Sequence, residues 1–230
     1  MSKILILGDG ILGSELQLQT GWDLASRKTT GLNIRDNQQL YQVLEDYDTV
    51  INCIANTNTY SDDGKDMCEV NYYFPYHLAV ICNKLKIKLV QISTEYVYAN
   101  NKGLPNEDSL PIPADNWYSY YKLKADDIVA LVSNSYLICR LLHKSKDFNP
   151  PEVWSVCTSG DTVDKIAELV IKLVRYGAYG LYNVGTGSKW LSSIVKNKNL
   201  DIVQPPEGVP IDTRMDLTKM NNFLDKLNLV

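Results

Sequence analysis

The stretch Lys3-Ile4-Leu5-Ile6-Leu7-Gly8-Asp9-Gly10-Ile11-Leu12-Gly13 decides the fold. Lys3–Leu7 reads as a strand buried on both faces, because its apolar run is continuous rather than alternating. The three glycines then follow at once, ahead of a helical pattern through Ser14-Glu15-Leu16-Gln17-Leu18. Each glycine has a separate physical task in a strand–turn–helix unit. Gly8 makes the tight turn, Gly10 lets a pyrophosphate approach the backbone, and Gly13 lets helix and strand pack closely. Phosphates then sit on the helix N-terminus.

Downstream, strands alternate with helices. Strands are predicted over Trp22–Ala25, Asp48–Ala55, Lys86–Ile92, Tyr136–Cys139 and Gly180–Val184. Helices are predicted from Asp36, as a cap, to about Tyr47, over Asp63–Leu85, around Tyr118, over Thr162–Arg175 and over Leu217–Leu227. Arg140–Gly160 reads as irregular and Pro205–Pro210 as loop. This alternation predicts an α/β fold, a doubly wound parallel (Rossmann-like) sheet. Residues 1–140 form the expected dinucleotide-binding domain. Ligands of such sheets lie beyond the carboxyl ends of the strands, where Gly8, Ala55 and Thr94 fall.

Composition narrows the class. The chain has 230 residues, 45% apolar and 22% charged, enough to build a sizeable core. A net charge of −4 argues against a nucleic-acid footprint. No apolar run reaches membrane-spanning length, and Met1-Ser2-Lys3 leads straight into a strand rather than a signal peptide. Cys53, Cys68, Cys82, Cys139 and Cys157 lack metal-like spacing and read as reduced core residues of a cytoplasmic protein. No metal site is expected.

The chemistry concentrates between Gln91 and Ala125. Ser93 and Thr94 place a hydroxyl pair at the end of a strand, and Tyr118 and Lys122 follow four apart on a helix, one above the other. An ammonium beside a phenol lowers the phenol's pKa toward neutrality, making it a proton donor and acceptor. Tyr-x-x-x-Lys occurs three times. Tyr98–Lys102 spans a loop, and Tyr120–Lys124 continues into Asp127 on a solvent stripe. Tyr118–Lys122 continues into Ala125, Val129 and Val132, toward the sheet. Ser26-Arg27-Lys28 stands about 20 residues after the first glycine, where an NAD site would carry an acid. Arg27 and Lys28 suit a 2′-phosphate, which favours NADP(H) over NAD(H).

Several segments together resemble the extended short-chain dehydrogenase/reductase superfamily, and within it the dTDP-4-dehydrorhamnose reductase family. They are G-D-G-I-L-G-S-E-L, L-N-I-R-D, V-I-N-C-I-A-N-T, E-V-N, I-S-T-E-Y-V-Y, K-G-L-P-N-E-D-S-L-P-I-P, Y-S-Y-Y-K-L, T-S-G-D-T-V-D-K-I-A-E-L and G-L-Y-N-V-G-T-G. The resemblance is clear over 1–140 and patchy from 158. It implies that Thr94 binds a substrate carbonyl, Tyr118 is the general acid, and Lys122 lowers its pKa and holds the nicotinamide ribose. It also places Ile11, Leu12, Ser26, Asn33, Ile34, Ala55, Thr57 and Asn71 at the cofactor and Glu95 at the substrate. Glu95-Tyr96 follows the threonine where dehydratases of the superfamily carry Asp-Glu, which favours a reductase or a 4-epimerase.

Arg140-Leu141-Leu142-His143-Lys144 lacks the tryptophan the family carries there, and only residues 141–157 separate the fifth strand from the next matching segment. The resemblance therefore implies a small C-terminal substrate-binding lobe over 141–230, reduced and interleaved with the last sheet elements, with a substrate pocket that is smaller or built differently. A lone His143 reads as structural or exposed. A non-catalytic, NADP-binding regulatory subunit acting through a partner protein stays open beside the enzyme readings, as does the choice of nucleotide sugar. A homodimer is compatible with the sequence, which does not set the oligomeric state.

Overall fold

The computed structural model describes residues 2–197 and 199–227; Met1, Lys198 and 228–230, the end of the expected second region, lie outside them. Six parallel strands form the central sheet: β1 (Ile4–Leu7), β2 (Asp23–Ala25), β3 (Thr49–Asn52), β4 (Lys88–Thr94), β5 (Tyr136–Leu141) and β6 (Gly180–Asn183). Their spatial order is β6-β5-β4-β3-β1-β2, so the chain reverses direction of growth between β1 and β3. The crevice at that reversal is where such sheets take ligands.

Side-chain alternation divides the core into two layers. Ile6, Ile51, Val90 and Leu137 face one side, and Leu5, Leu7, Val50, Leu89 and Ile138 the other. Both faces are apolar because both are covered, as the unbroken run at Ile4–Leu7 predicts. The first face is covered by α1 (Ile11–Thr20), α5 (Val163–Arg175) and α6 (Thr218–Leu227). Buried Val163, Ile166, Ala167, Val170, Ile171 and Val174 give α5 a helical apolar stripe. The second face is covered by α2 (Asn37–Leu44), α3 (Phe74–Leu85) and α4 (Trp117–Val132). Residues beyond 141 are not a separate layer: β6 pairs with β5, and Val163 and Tyr182 share a core with Ile6 and Leu12.

Local chemistry explains where the expected boundaries move. β3 stops at Asn52 rather than Ala55, because Asn52 Oδ1 accepts from Ile54 N (3.0 Å) and turns the chain. β4 runs on to Thr94, where Thr94 Oγ1 accepts from Tyr96 N (3.3 Å) and caps the one-turn helix Glu95–Tyr98. Asp36 caps α2 as expected, accepting from Gln38 N and Gln39 N, both at 3.0 Å. Instead of one uniform helix over 63–85, a short α-turn (Gly64–Cys68) passes through a π-helical segment (Glu69–Tyr73) into α3. Pro75 has no N–H to give Asn71 O, and the wider turn accommodates that.

A one-turn helix, Arg27–Thr30, was not predicted; Ser26 caps it through Lys28 N (3.2 Å) and Thr29 N (3.0 Å). The irregular region after β5 carries strands of two or three residues: His143–Lys144 beside Asp161–Thr162, Glu152–Trp154 beside Asp201–Val203, and Cys157–Thr158 beside Lys189–Trp190. They enclose a small core of Val153, Leu191 and Val195. Among the described residues, no helix is long and apolar enough to cross a membrane.

Candidate active site

The glycine turn sits at the switch point. Gly8 has φ +100°, a conformation side chains rarely adopt, and its N donates to Ala25 O (2.9 Å). A Cβ on Gly13 would lie 1.9 Å from Gly8 O, so the close approach of α1 to β1 requires glycine. A Cβ on Gly10 would meet nothing within 4 Å; it would project from the N-cap of α1 into open space. These are the properties a backbone cradle for a dinucleotide pyrophosphate needs.

Around this turn the ends of β1, β3, β4 and β5 line a cleft of about 690 Å³. Gly10, Ile11, Leu12 and Gly13 form one wall, and Cys53, Ala55 and Thr57 continue it. Asn71 fixes the β3 loop from behind: its Oδ1 accepts from Asn56 N (2.8 Å) and its Nδ2 donates to Asn56 O (2.9 Å). Ser93, Thr94, Tyr118 and Lys122 form the floor. Asn116 caps α4 through Ser119 N (2.8 Å), which fixes where the helix begins and so where Tyr118 points.

Beneath the floor lies a buried ion pair. Arg140 Nε donates to Asp126 Oδ2 (2.9 Å), as does Ser93 Oγ (2.9 Å), with both charged side chains under 5% exposed. Arg140 also donates to the Tyr98 hydroxyl. Removing one partner of such a pair leaves an uncompensated buried charge, costing about 3–5 kcal/mol.

Burial raises the Tyr118 phenol; a hydrogen bond with Thr94 pulls it down, and the charges of Asp126 and Glu95 push it up again. This corrects the expected lowering by Lys122. The Lys122 ammonium is turned to the backbone, donating to Ile92 O. Burial brings Lys122 down to about 8, against the pull of Asp126. Cys53 is a thiol pushed up to about 12 by burial, so it holds its proton.

The structure brings Gly10, Ile11, Leu12, Gly13, Ala55, Thr57, Thr94, Tyr118 and Lys122 together in this cleft. Of the other two Tyr-x-x-x-Lys pairs, Tyr98 is buried against Arg140 and Asn106, and Tyr120 is on the surface with Lys124. Gly8 lies behind the wall against Ile54. Ser26, Arg27, Lys28, Asn33 and Ile34 do not line the cleft. Ser26 is spent on its cap, Arg27 and Lys28 are exposed just beyond β2, and Asn33 holds Arg35 N (3.1 Å). Ile34 borders a separate hollow with Arg35, Glu69 and His77.

Two expected contacts are not made by side chains in this cleft. Asn71, placed at the cofactor from sequence, is 1% exposed and engaged with the Asn56 backbone, so it positions the wall rather than lining it. Glu95, placed at the substrate, is fully buried. The Thr94 cap turns it inward, where it accepts from Thr158 (2.7 Å) and from Thr213. Burial raises its carboxyl from 4.5 to about 7 against those hydrogen bonds, the Ser159 backbone bond and Lys144.

A carboxyl raised on folding contributes stability in full at low pH, and that stability is lost as pH rises through the folded value, here about 7. Glu95→Gln should therefore flatten the wild-type fall in unfolding free energy between about pH 4.5 and 7, by up to about 3 kcal/mol in urea titrations. A variant with the whole wild-type slope would clear Glu95 of this role.

The far wall comes from the region after β5, which carries no periodicity by which to place it. Leu141, Leu142, His143, Lys144, Phe148 and Trp154 border the cleft without closing it. His143 is half-buried there rather than exposed, its imidazole brought down to about 4 by burial and by Lys144.

A parallel sheet in this order, with a glycine turn at its switch point, makes the chain a doubly wound, Rossmann-like α/β protein. Residues 2–143 match the family described as RmlD substrate binding domain, and the chain belongs to that family.

Among its relatives is a Haloferax volcanii protein named "Probable low-salt glycan biosynthesis reductase Agl14". It is 26% identical over 204 residues, 75% of this chain and 66% of that protein. The dTDP-4-dehydrorhamnose reductase of Mycobacterium tuberculosis is 32% identical over 110 residues, 44% of this chain and 35% of the enzyme. The chain thus spans about two thirds of the first relative's length and about a third of the second's.

In structure, a dTDP-4-dehydrorhamnose reductase from Bacillus anthracis in complex with NADP matches with TM-score 0.83 at 22% identity, over 96% of this chain and 91% of that one. A UDP-glucose 4-epimerase of Thermus thermophilus in complex with NAD matches at 0.78 and 16%, over 96% and 92%. At these identities the structural likeness establishes the fold.

Proposed function

We propose that the protein is an NADPH-dependent reductase of a 4-keto-6-deoxy sugar nucleotide, of the dTDP-4-dehydrorhamnose reductase type. The observation that supports this most is Thr94, Tyr118 and Lys122 in one cleft with the glycine turn. A bound nicotinamide supplies hydride. Converting the C4 ketone to an alcohol takes that hydride on carbon and one proton on oxygen. Thr94 Oγ1 holds the carbonyl oxygen by hydrogen bond and Tyr118 Oη gives it the proton. Lys122, buried beside Tyr118 with its ammonium on Ile92 O, would orient the nicotinamide ribose. A 4-epimerase would first need Tyr118 as a base and would return the hydride to the same sugar. Incubation with excess NADPH separates the two: a reductase consumes one NADPH per product, an epimerase none in net terms.

Arg27 and Lys28 are proposed to select NADPH. They stand exposed directly after β2, the strand whose Ala25 O receives the Gly8 N–H. Replacing both with Ala should weaken NADPH by about ten- to a hundredfold, the worth of charge-assisted hydrogen bonds to one phosphate, with NADH nearly unchanged. Fluorescence titration of both cofactors checks this; equal wild-type affinity for the two would remove the assignment.

A further inference from the structure

Tyr118 and Lys122 both sit on α4, whereas Thr94 ends β4. How the phenol meets the threonine therefore depends on where the helix lies along the strand. Apolar packing between helix and sheet is non-directional and does not by itself fix that relation. A directional tie does. Ser93, next to Thr94, donates from Oγ to Asp126 Oδ2 at 2.9 Å. Asp126 stands four residues beyond Lys122 and eight beyond Tyr118, on the same face of α4. Arg140, the register partner of Ser93 on β5, donates from Nε to the same carboxylate oxygen at 2.9 Å. Two strands and a helix thus meet at one oxygen, and all three side chains are 3% exposed. The other ties from α4 to β4, Lys122 to Ile92 O and Tyr118 to Thr94, are made by the working groups themselves. Those ties loosen when the groups turn to cofactor and substrate; the one between Ser93 and Asp126 stays.

We infer that Ser93 and Asp126 are positioning residues: their hydrogen bond sets α4 against the end of β4, and through it the reach of Tyr118 to Thr94. This rests on the reductase reading of the same cleft and adds to it what holds the acid in place. The charge of Asp126 is also felt at both working groups, since it holds Lys122 up against burial and adds to the rise of Tyr118. Neither Ser93 nor Asp126 touches a reacting atom in this account. A misplacement of about 1 Å at the reacting groups costs about a hundredfold in rate. Loss of the tie therefore falls on kcat and spares KM.

The test is Ser93→Ala in the intact chain, which removes one oxygen and leaves the Arg140–Asp126 pair whole. We expect kcat to fall about ten- to a hundredfold, with KM for a 4-keto-6-deoxy sugar nucleotide and the affinity for NADPH within about twofold of wild type. Ser93→Thr keeps the hydroxyl, with cleft space beside it for the added methyl, and should restore most of the rate. A second measurement needs no turnover. In protein labelled with carbon-13 at the tyrosine Cζ, the Tyr118 resonance is identified by its loss from Tyr118→Phe. It should move in Ser93→Ala toward its position in Thr94→Val, and return in Ser93→Thr. Rates are normalised to the folded fraction read from thermal melts, so a weakened fold alone gives no loss and counts against the assignment. Wild-type kcat in Ser93→Ala, an unmoved Tyr118 resonance, or a rate that Ser93→Thr does not restore would overturn it. So would a change confined to KM, which would make Ser93 a substrate contact. If the wild type turns over no keto sugar, the reductase reading fails, while the resonance still decides the positioning.

Discussion

Tyr118→Phe should lower kcat by about 10²–10⁴-fold, the usual worth of a positioned general acid, while leaving the affinity for NADPH close to wild type. The substitution removes one oxygen from a ring packed edge-on against Tyr96, with centroids 6.4 Å apart, so the fold has little reason to change. What disappears is the proton donor and the hydrogen bond with Thr94. A Thr94→Val change should slow turnover too, but less, since it removes a hydrogen bond to the carbonyl and not the proton. Steady-state kinetics on both variants ranks the two. Wild-type turnover by Tyr118→Phe would remove the phenol from the chemistry.

Gly13→Ala should have the second large effect, on the fold and on cofactor binding together. The new methyl carbon would begin 1.9 Å from Gly8 O, and that atom is backbone, so α1 must move off β1. Overpacking of this kind costs about 1–3 kcal/mol and occasionally more, and here it also displaces the helix N-terminus that borders the cleft. Gly10→Ala makes the internal control: its methyl meets nothing within 4 Å, so stability should hold while NADPH affinity falls. Urea midpoints with cofactor titrations read both. Equal behaviour of the two variants, or a Gly13→Ala protein as stable as wild type, would contradict the packing argument.

The parts of this molecule legible from sequence are those written in short-range patterns. Ile4–Leu7 and its glycines specify a buried strand and a close helix crossing, and both follow from sterics alone. Tyr118 and Lys122 were separable from Tyr98–Lys102 and Tyr120–Lys124 because helical periodicity tells a sheet-facing stripe from a solvent-facing one. Glu95 shows where this stops. Its place in the sequence, next to Thr94, says nothing of Thr158 and Thr213, which reach it from 63 and 118 residues away and turn it into a buried tie between segments. Asn71 likewise looked like a cofactor contact until Asn56, reached through a π-helical turn, took both ends of its amide. Lys144, Phe148 and Trp154 had no periodic signal at all, since strands of two or three residues are held by their neighbours and not by their own composition.

The central claim is that hydride passes to C4 of a keto sugar nucleotide in the cleft above Tyr118. It is tested most directly with NADPH deuterated at the transferable position of the nicotinamide and a 4-keto-6-deoxy sugar nucleotide as acceptor. Mass spectrometry of the product should find one deuterium, at C4 of the sugar, for each NADPH lost from the nicotinamide absorbance band, with both signals slowed by the same factor, about 10²–10⁴, in Tyr118→Phe. Product free of deuterium, or sugar converted while the NADPH band stays constant, would contradict it.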